Sequence, residues 1–130
     1  MRRRTKTLVS AAVLAIAGAG AGVVPAQAAE SWVCAEGYVC FYSETYGRGQ
    51  KCSWEGNDDY WLNSPGRCSW AGTIPVKSVY NNGTSGMDVL YYDAVGSNGA
   101  DKVGCVDHKE KKNTGTHLLR SHLWVDGVNC

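Results

Sequence analysis

The run Val39-Cys40-Phe41-Tyr42, then Tyr46-Gly47-Arg48-Gly49, then Gln50-Lys51-Cys52-Ser53-Trp54, decides how the rest of this 130-residue chain is read. A short block of branched and aromatic residues is a strand signal, and glycines directly after it allow the positive φ of a tight turn. The same order returns further on. Val89-Leu90-Tyr91-Tyr92 precedes a second glycine turn, Ser97-Asn98-Gly99, and again a cysteine-bearing strand follows. Working outward, strands are expected over 38–43, 50–54, 76–81, 88–93, 102–106 and 117–125, with Asn81-Asn82-Gly83 supplying another turn. In the last of these Leu119, Ser121, Leu123 and Val125 share one face, while Leu118, Arg120, His122 and Trp124 share the other. No amphipathic helix of useful length stands out. Two four-strand units in tandem make an all-β sandwich of two Greek keys.

Six cysteines, Cys34, Cys40, Cys52, Cys68, Cys105 and Cys130, are spread over this region. An even count in a small exported chain reads as a disulfide framework. Cys34 and Cys40 bracket a short stretch that Gly37 can turn back, so they form a local bridge. Cys52 and Cys68 flank a polar loop with Asn57, Asp58, Asp59, Asn63, Pro65 and Gly66. Cys105 is then left for Cys130, which pins the chain's end against fraying. Each bridge contributes about 2–4 kcal/mol by restricting the unfolded chain, a large share of a small domain's stability. Zinc is the competing use of cysteine, but no closely spaced cysteine pair exists. His108, His117 and His122 are read as surface histidines, and the odd spacing of the last two sends them to opposite faces of a strand. No cofactor or metal is implied.

All six cysteines lie beyond a segment with the three parts of an export signal. Arg2, Arg3, Arg4 and Lys6 give a positive start, an uncharged Ala-rich stretch runs over 8–24, and Pro25 precedes the small residues of Ala26-Gln27-Ala28. Residues 1–28 are therefore expected to be a cleaved signal peptide, leaving 29–130 as a single secreted, extracellular domain. Four of the 13 basic residues belong to the signal, so nine face 12 acidic ones in the remainder, a net charge of about −3. That balance disfavours nucleic acid or an anionic membrane as partner, and a monomer is expected. Lys109, Lys111 and Lys112, offset by Asp107 and Glu110, read as a solvated loop.

Three segments are similar to the secreted actinobacterial peptidase inhibitors of the metalloproteinase-inhibitor type, which have a βγ-crystallin fold. The start, Cys34-Ala35-Glu36-Gly37-Tyr38-Val39-Cys40-Phe41-Tyr42, resembles the opening Cys-x-x-Gly-x-x-Cys with its following aromatic. Tyr46-Gly47-Arg48-Gly49 stands where the crystallin hairpin carries its aromatic and glycine. Lys77-Ser78-Val79-Tyr80-Asn81-Asn82-Gly83-Thr84 is similar to the segment closing the first Greek key, whose serine fixes the folded hairpin. The resemblance implies a βγ-crystallin-like Greek-key sandwich, and an inhibitor of extracellular proteases that presents a disulfide-held loop to the active-site cleft.

Lys102-Val103-Gly104-Cys105-Val106 resembles the stretch carrying the reactive Cys-Val bond of those inhibitors, which implies Cys105–Val106 as the bond offered to a protease. Thermolysin-like zinc proteases favour a branched apolar side chain just after the scissile bond, and a disulfide at Cys105 would lower the ordering cost. The family pattern has a second cysteine shortly after that bond; here Asp107-His108-Lys109-Glu110 follows. The calcium motif of crystallin domains also departs, because Thr73-Ile74-Pro75-Val76-Lys77-Ser78 lacks the hard oxygen ligands.

An enzyme is disfavoured, since no His-Glu-x-x-His, Gly-x-Ser-x-Gly or phosphate-cradling loop occurs, and the adjacent Asp58 and Asp59 point apart on an extended chain. The alternative is a secreted antimicrobial, killer-toxin-like or carbohydrate-binding module. Of Trp32, Trp54, Trp61, Trp70 and Trp124, most are expected in the core, with Trp61 and Trp70 the pair placed at the surface near the polar loop.

Overall fold

Val39–Tyr42 forms β1, and all four of its residues are buried. An alternating strand with one wet face would not read this way, so both faces of β1 must be covered. The computed structural model, which describes residues 29–63, 65–128 and 130, shows how. Val39 and Phe41 point into the main core, together with Val76, Val79, Val89 and Val106. On the opposite face Cys40 is bridged to Cys34 and the Tyr42 hydroxyl donates to the carbonyl of Val33 at 3.0 Å. Trp32 meets Tyr42 edge to face. The segment before β1 is thus a strap over the outside of the sheet.

Six further strands follow: β2 (Lys51–Trp54), β3 (Val76–Asn81), β4 (Asp88–Tyr92), β5 (Lys102–Val106), β6 (Lys111–His117) and β7 (Ser121–Val125). They make two antiparallel sheets, ordered β2-β1-β3-β6 and β5-β4-β7. The described residues form no α-helix, only three short 3-10 turns. The first half keeps a remnant of a further strand, since Asp58 bridges His122 on β7 and the Trp61 N–H donates to the Arg120 carbonyl at 2.8 Å. Conversely, β6 leaves its own half to pair with β3, with Val76 opposite His117 and Tyr80 opposite Lys111. Each half therefore completes the other's sheet.

The expected strands over 76–81 and 102–106 match β3 and β5, and three others differ only by a residue at their ends. Two readings need correction. Lys109 lies in an exposed turn, as expected, but Lys111 and Lys112, expected in the same solvated loop, open the strand Lys111–His117. Its sequence, Lys-Lys-Asn-Thr-Gly-Thr-His, buries no residue fully because it is a sheet edge, where charge discourages pairing with other chains. The continuous last strand over 117–125 is instead broken between His117 and Ser121. The expected alternation fails there because Ser121, His122 and Trp124 are all buried, so both faces are covered. The expected signal peptide, 1–28, lies outside the described residues.

The aromatic centre of the molecule sits between the sheets. Trp54 stacks on Trp61 with ring centroids 4.6 Å apart, and Phe41 meets Trp61 at 4.7 Å. Such pairs add about 0.5–1.5 kcal/mol each beyond the area they bury. The bridges are Cys34–Cys40, Cys52–Cys68 and Cys105–Cys130.

Candidate functional site

Cys105 and Val106 end strand β5, at the edge of the second sheet. Cys105 lies opposite Leu90 and Val106 opposite Val89. Alternation then sends the Cys105 sulfur outward to Cys130 and the Val106 side chain inward, where it is 0% exposed. The Cys105 carbonyl accepts from the Lys112 ammonium at 2.9 Å. Val106 is thus a core residue in the folded chain, and it reaches a protease pocket only if β5 parts from β4.

The turn after it is closed as well. Asp107 N–H donates to the Glu110 carboxylate at 2.8 Å, and Glu110 N–H returns to the Asp107 carbonyl. The Asp107 side chain accepts from the Cys130 N–H, while Asp88 accepts from His108 and Val128. Asp88, Asp107 and Cys130 do converge, but the carboxylates serve backbone N–H groups and the sulfur is committed to its bridge. Asp107-His108-Lys109-Glu110 is thus a carboxylate-capped turn.

The two aromatic side chains placed at the surface are also redistributed. Trp61 is 0% exposed, its indole N–H donating to Nδ1 of His122 at 2.8 Å, and Trp70 packs partly buried against the core. Trp61 therefore offers no open face for a sugar ring to stack on. His122, read as a surface residue, is fully buried. Its Nε2 faces the Gly56 carbonyl at 2.7 Å, and burial pulls its pKa down to about 4. Donor-only indole on one nitrogen and acceptor-only carbonyl on the other fix a neutral imidazole carrying its proton on Nε2.

What the fold does display is a pair of hairpin loops held from beneath by serines. Between β1 and β2, the Ser78 hydroxyl donates to the Glu44 carbonyl at 2.6 Å and accepts from the Gly47 N–H at 3.0 Å. Gly47 has φ of 69°, and a side chain there would run into the backbone of Trp32. Between β4 and β5, the Ser121 hydroxyl donates to the Ala94 carbonyl at 2.6 Å and accepts from the Ser97 N–H at 3.2 Å. The internal repeat therefore extends from the strands to their pins. Both serines are fully buried.

The tips differ. In the first loop Arg48 bonds back to the carbonyl and hydroxyl of Thr45, and the Tyr46 N–H is held by Asn113 at 2.9 Å. In the second, Val95 is 52% exposed, and the Gly96 N–H donates to the Asp59 carbonyl at 2.9 Å. That bond sets the loop beside Tyr60, 39% exposed, and an open depression of about 290 Å³ lined by Asn57, Asp58, Asp59, Tyr60, Asn63 and Pro65. The volume lies just under the range of enclosed small-molecule sites, so this end of the sandwich suits a macromolecular surface better. Sequence reasoning missed Val95, Ser121 and Asp59. The signal for Ser121 was present, because the repeat that aligns Val39–Tyr42 with Val89–Tyr92 also calls for a counterpart to Ser78.

Residues 27–103 match the family model of peptidase inhibitor family I36. No curated protein and no solved structure matches the chain.

Proposed function

The chain belongs to peptidase inhibitor family I36, and on that premise we propose that it is a secreted inhibitor of metallopeptidases acting outside the cell. It is a peptidase inhibitor, not an enzyme, and its partner is a peptidase. The observation that carries this reading is the family match over most of the first half and into β5. Three disulfides in the described chain support an oxidising destination. In this reading residues 1–28 are the export signal, removed after Ala28, and the remainder acts as a monomer.

The finer description of the fold belongs to the same proposal: a βγ-crystallin-type pair of Greek keys. Its support is the exchange of strands between the halves, with β6 beside β3 and the Asp58 bridge beside β7, and the serine beneath each hairpin. The resemblance of Lys102–Val106 to the reactive segment supports a metallopeptidase target; a contact through Cys105–Val106 itself would require β5 to open, because Val106 is buried.

The test is to titrate the purified protein against thermolysin-like, subtilisin-like and papain-like peptidases. Inhibition of the thermolysin-like enzyme at micromolar protein or below is expected. Silence against all three classes would overturn the inhibitor reading, and inhibition confined to a serine or cysteine class would overturn the metallopeptidase assignment. Material recovered from the culture medium is expected to begin at Ala29.

A further inference from the structure

We propose that the β4–β5 loop, Ala94 to Asn98, is the element that enters the peptidase, with Val95 as its anchor. This deepens the inhibitor reading and rests on it. A loop that inhibits must satisfy two physical demands at once. It must expose a side chain for the enzyme's pocket, and its backbone must be ordered beforehand so that binding does not spend its energy on ordering.

The β4–β5 loop meets both. Val95 exposes 52% of its surface although it is branched and apolar, and among the described residues neither its N–H nor its carbonyl has a hydrogen-bond partner. The backbone on either side of it is tied down. Ala94 and Ser97 are fastened to Ser121 on β7, Gly96 to Asp59, and Asp93 to Asp101 across the loop's base at 3.4 Å. Positive φ at Gly96 (81°) and Ser97 (46°) turns the chain sharply after Val95 and leaves that side chain at the apex. Asn98 then accepts from the Ala100 N–H and closes the far side.

Comparison with the first hairpin shows that this tip is not a by-product of the repeat. Thr45 occupies the position equivalent to Val95, yet its carbonyl and hydroxyl are both bonded by Arg48. At this position the same pinned scaffold therefore carries a polar side chain bonded back onto its own loop in one half and an exposed apolar one in the other, while the exposed Tyr46 beside Thr45 has the Arg48 guanidinium over its ring at 5.7 Å. Cys105–Val106, by contrast, shows its side chain to the core and its carbonyl to Lys112. Around Val95 the exposed side chains of Asp59 and Asp93 add negative charge, and Tyr60 adds an aromatic edge. The partner that fits is a peptidase whose specificity pocket takes a branched apolar side chain and whose pocket rim is basic.

Inhibition constants of Val95→Asp, Val95→Ile and Val33→Asp separate the possibilities, measured against whichever peptidase the unmodified protein inhibits. Val33 is also exposed, at 64%, but lies on the strap over the other sheet. Val95→Asp is expected to weaken inhibition about 100-fold, the scale of a buried anchor replaced by a charge, with an unchanged melting temperature. Val95→Ile should stay within a few fold, as should Val33→Asp. Unaltered potency in Val95→Asp would overturn this assignment while leaving the inhibitor reading intact. Failure of the unmodified protein to inhibit anything would remove both. Loss of potency in a folded Val106→Ala variant, with Val95→Asp unaffected, would return the contact to β5.

Discussion

His122 shows what a single side chain can decide. Its ring lies among Phe41, Trp54 and Trp61, and both nitrogens are engaged in a pattern that only the neutral form satisfies. Asp58, in the segment bridged to His122, accepts from the Tyr60 N–H with its side-chain oxygen. Burial, set against a smaller opposing effect of the Gly56 carbonyl, holds the pKa near 4, below the ordinary 6.5. The folded state therefore binds fewer protons than the unfolded chain between those values. The stabilisation is complete above about pH 6.5 and is lost as pH falls toward 4, by about 3 kcal/mol in all. Urea melts at pH 7, 5.5 and 4 should show that decline, and His122→Gln, which can accept and donate without titrating, should flatten it. A His122 ring that titrates near 6.5 by NMR would defeat the argument. None of this was legible in the sequence. His122 and Trp61 are far apart along the chain, and nothing local to either says that an indole would need an imidazole acceptor in a sealed core.

At the level of elements, legibility followed covering. The strands with apolar sequence, β1, β3, β4 and β5, could be placed to within a residue, because burial on the sheet demands branched and aromatic side chains. Strand β6 could not, since an edge strand is written in lysine, asparagine and threonine like any exposed loop. Its evidence is tertiary: Lys111 lies over the Tyr80 ring at 5.0 Å and Lys112 reaches the Cys105 carbonyl. The hairpin pins were half legible, since Ser78 was marked by resemblance and Ser121 was passed over. They make a paired prediction. Ser78→Ala and Ser121→Ala each strand a carbonyl and an N–H, at a cost of about 1–3 kcal/mol. Both should lower the urea midpoint, but amide exchange should rise around 45–47 in the first variant and around 94–97 in the second. Only the second should weaken inhibition. Equal loss of potency in both would mean that global loosening, not the Val95 loop, is being read.

For the molecule as a whole, the arrangement of covalent and non-covalent links points in opposite directions. Cys34–Cys40 and Cys52–Cys68 lie within the first half and Cys105–Cys130 within the second, so no bridge joins the halves. Yet β6 completes the first sheet, Asp58 bridges β7, the Trp61 indole needs His122, and the Asn81 N–H needs the Glu110 carbonyl. The family match ends at residue 103, inside β5, although the sheet it covers is not complete until β6. A sequence boundary and a folding boundary need not coincide. The halves meet at Thr84, Ser85 and Gly86, which are exposed and suit a cut. Fragments 29–85 and 86–130 are therefore expected to lack stable structure when separate, even with their own disulfides formed, because each is too small to bury a core and each leaves a sheet unfinished. Mixed in equal amounts they should recover the β signature in circular dichroism, the buried-tryptophan fluorescence and the inhibition of the intact protein. If fragment 29–85 folds alone with protected amides in β1 and β3, then the exchanged strand is an ornament on an independent unit, and the dependence of one half on the other is refuted.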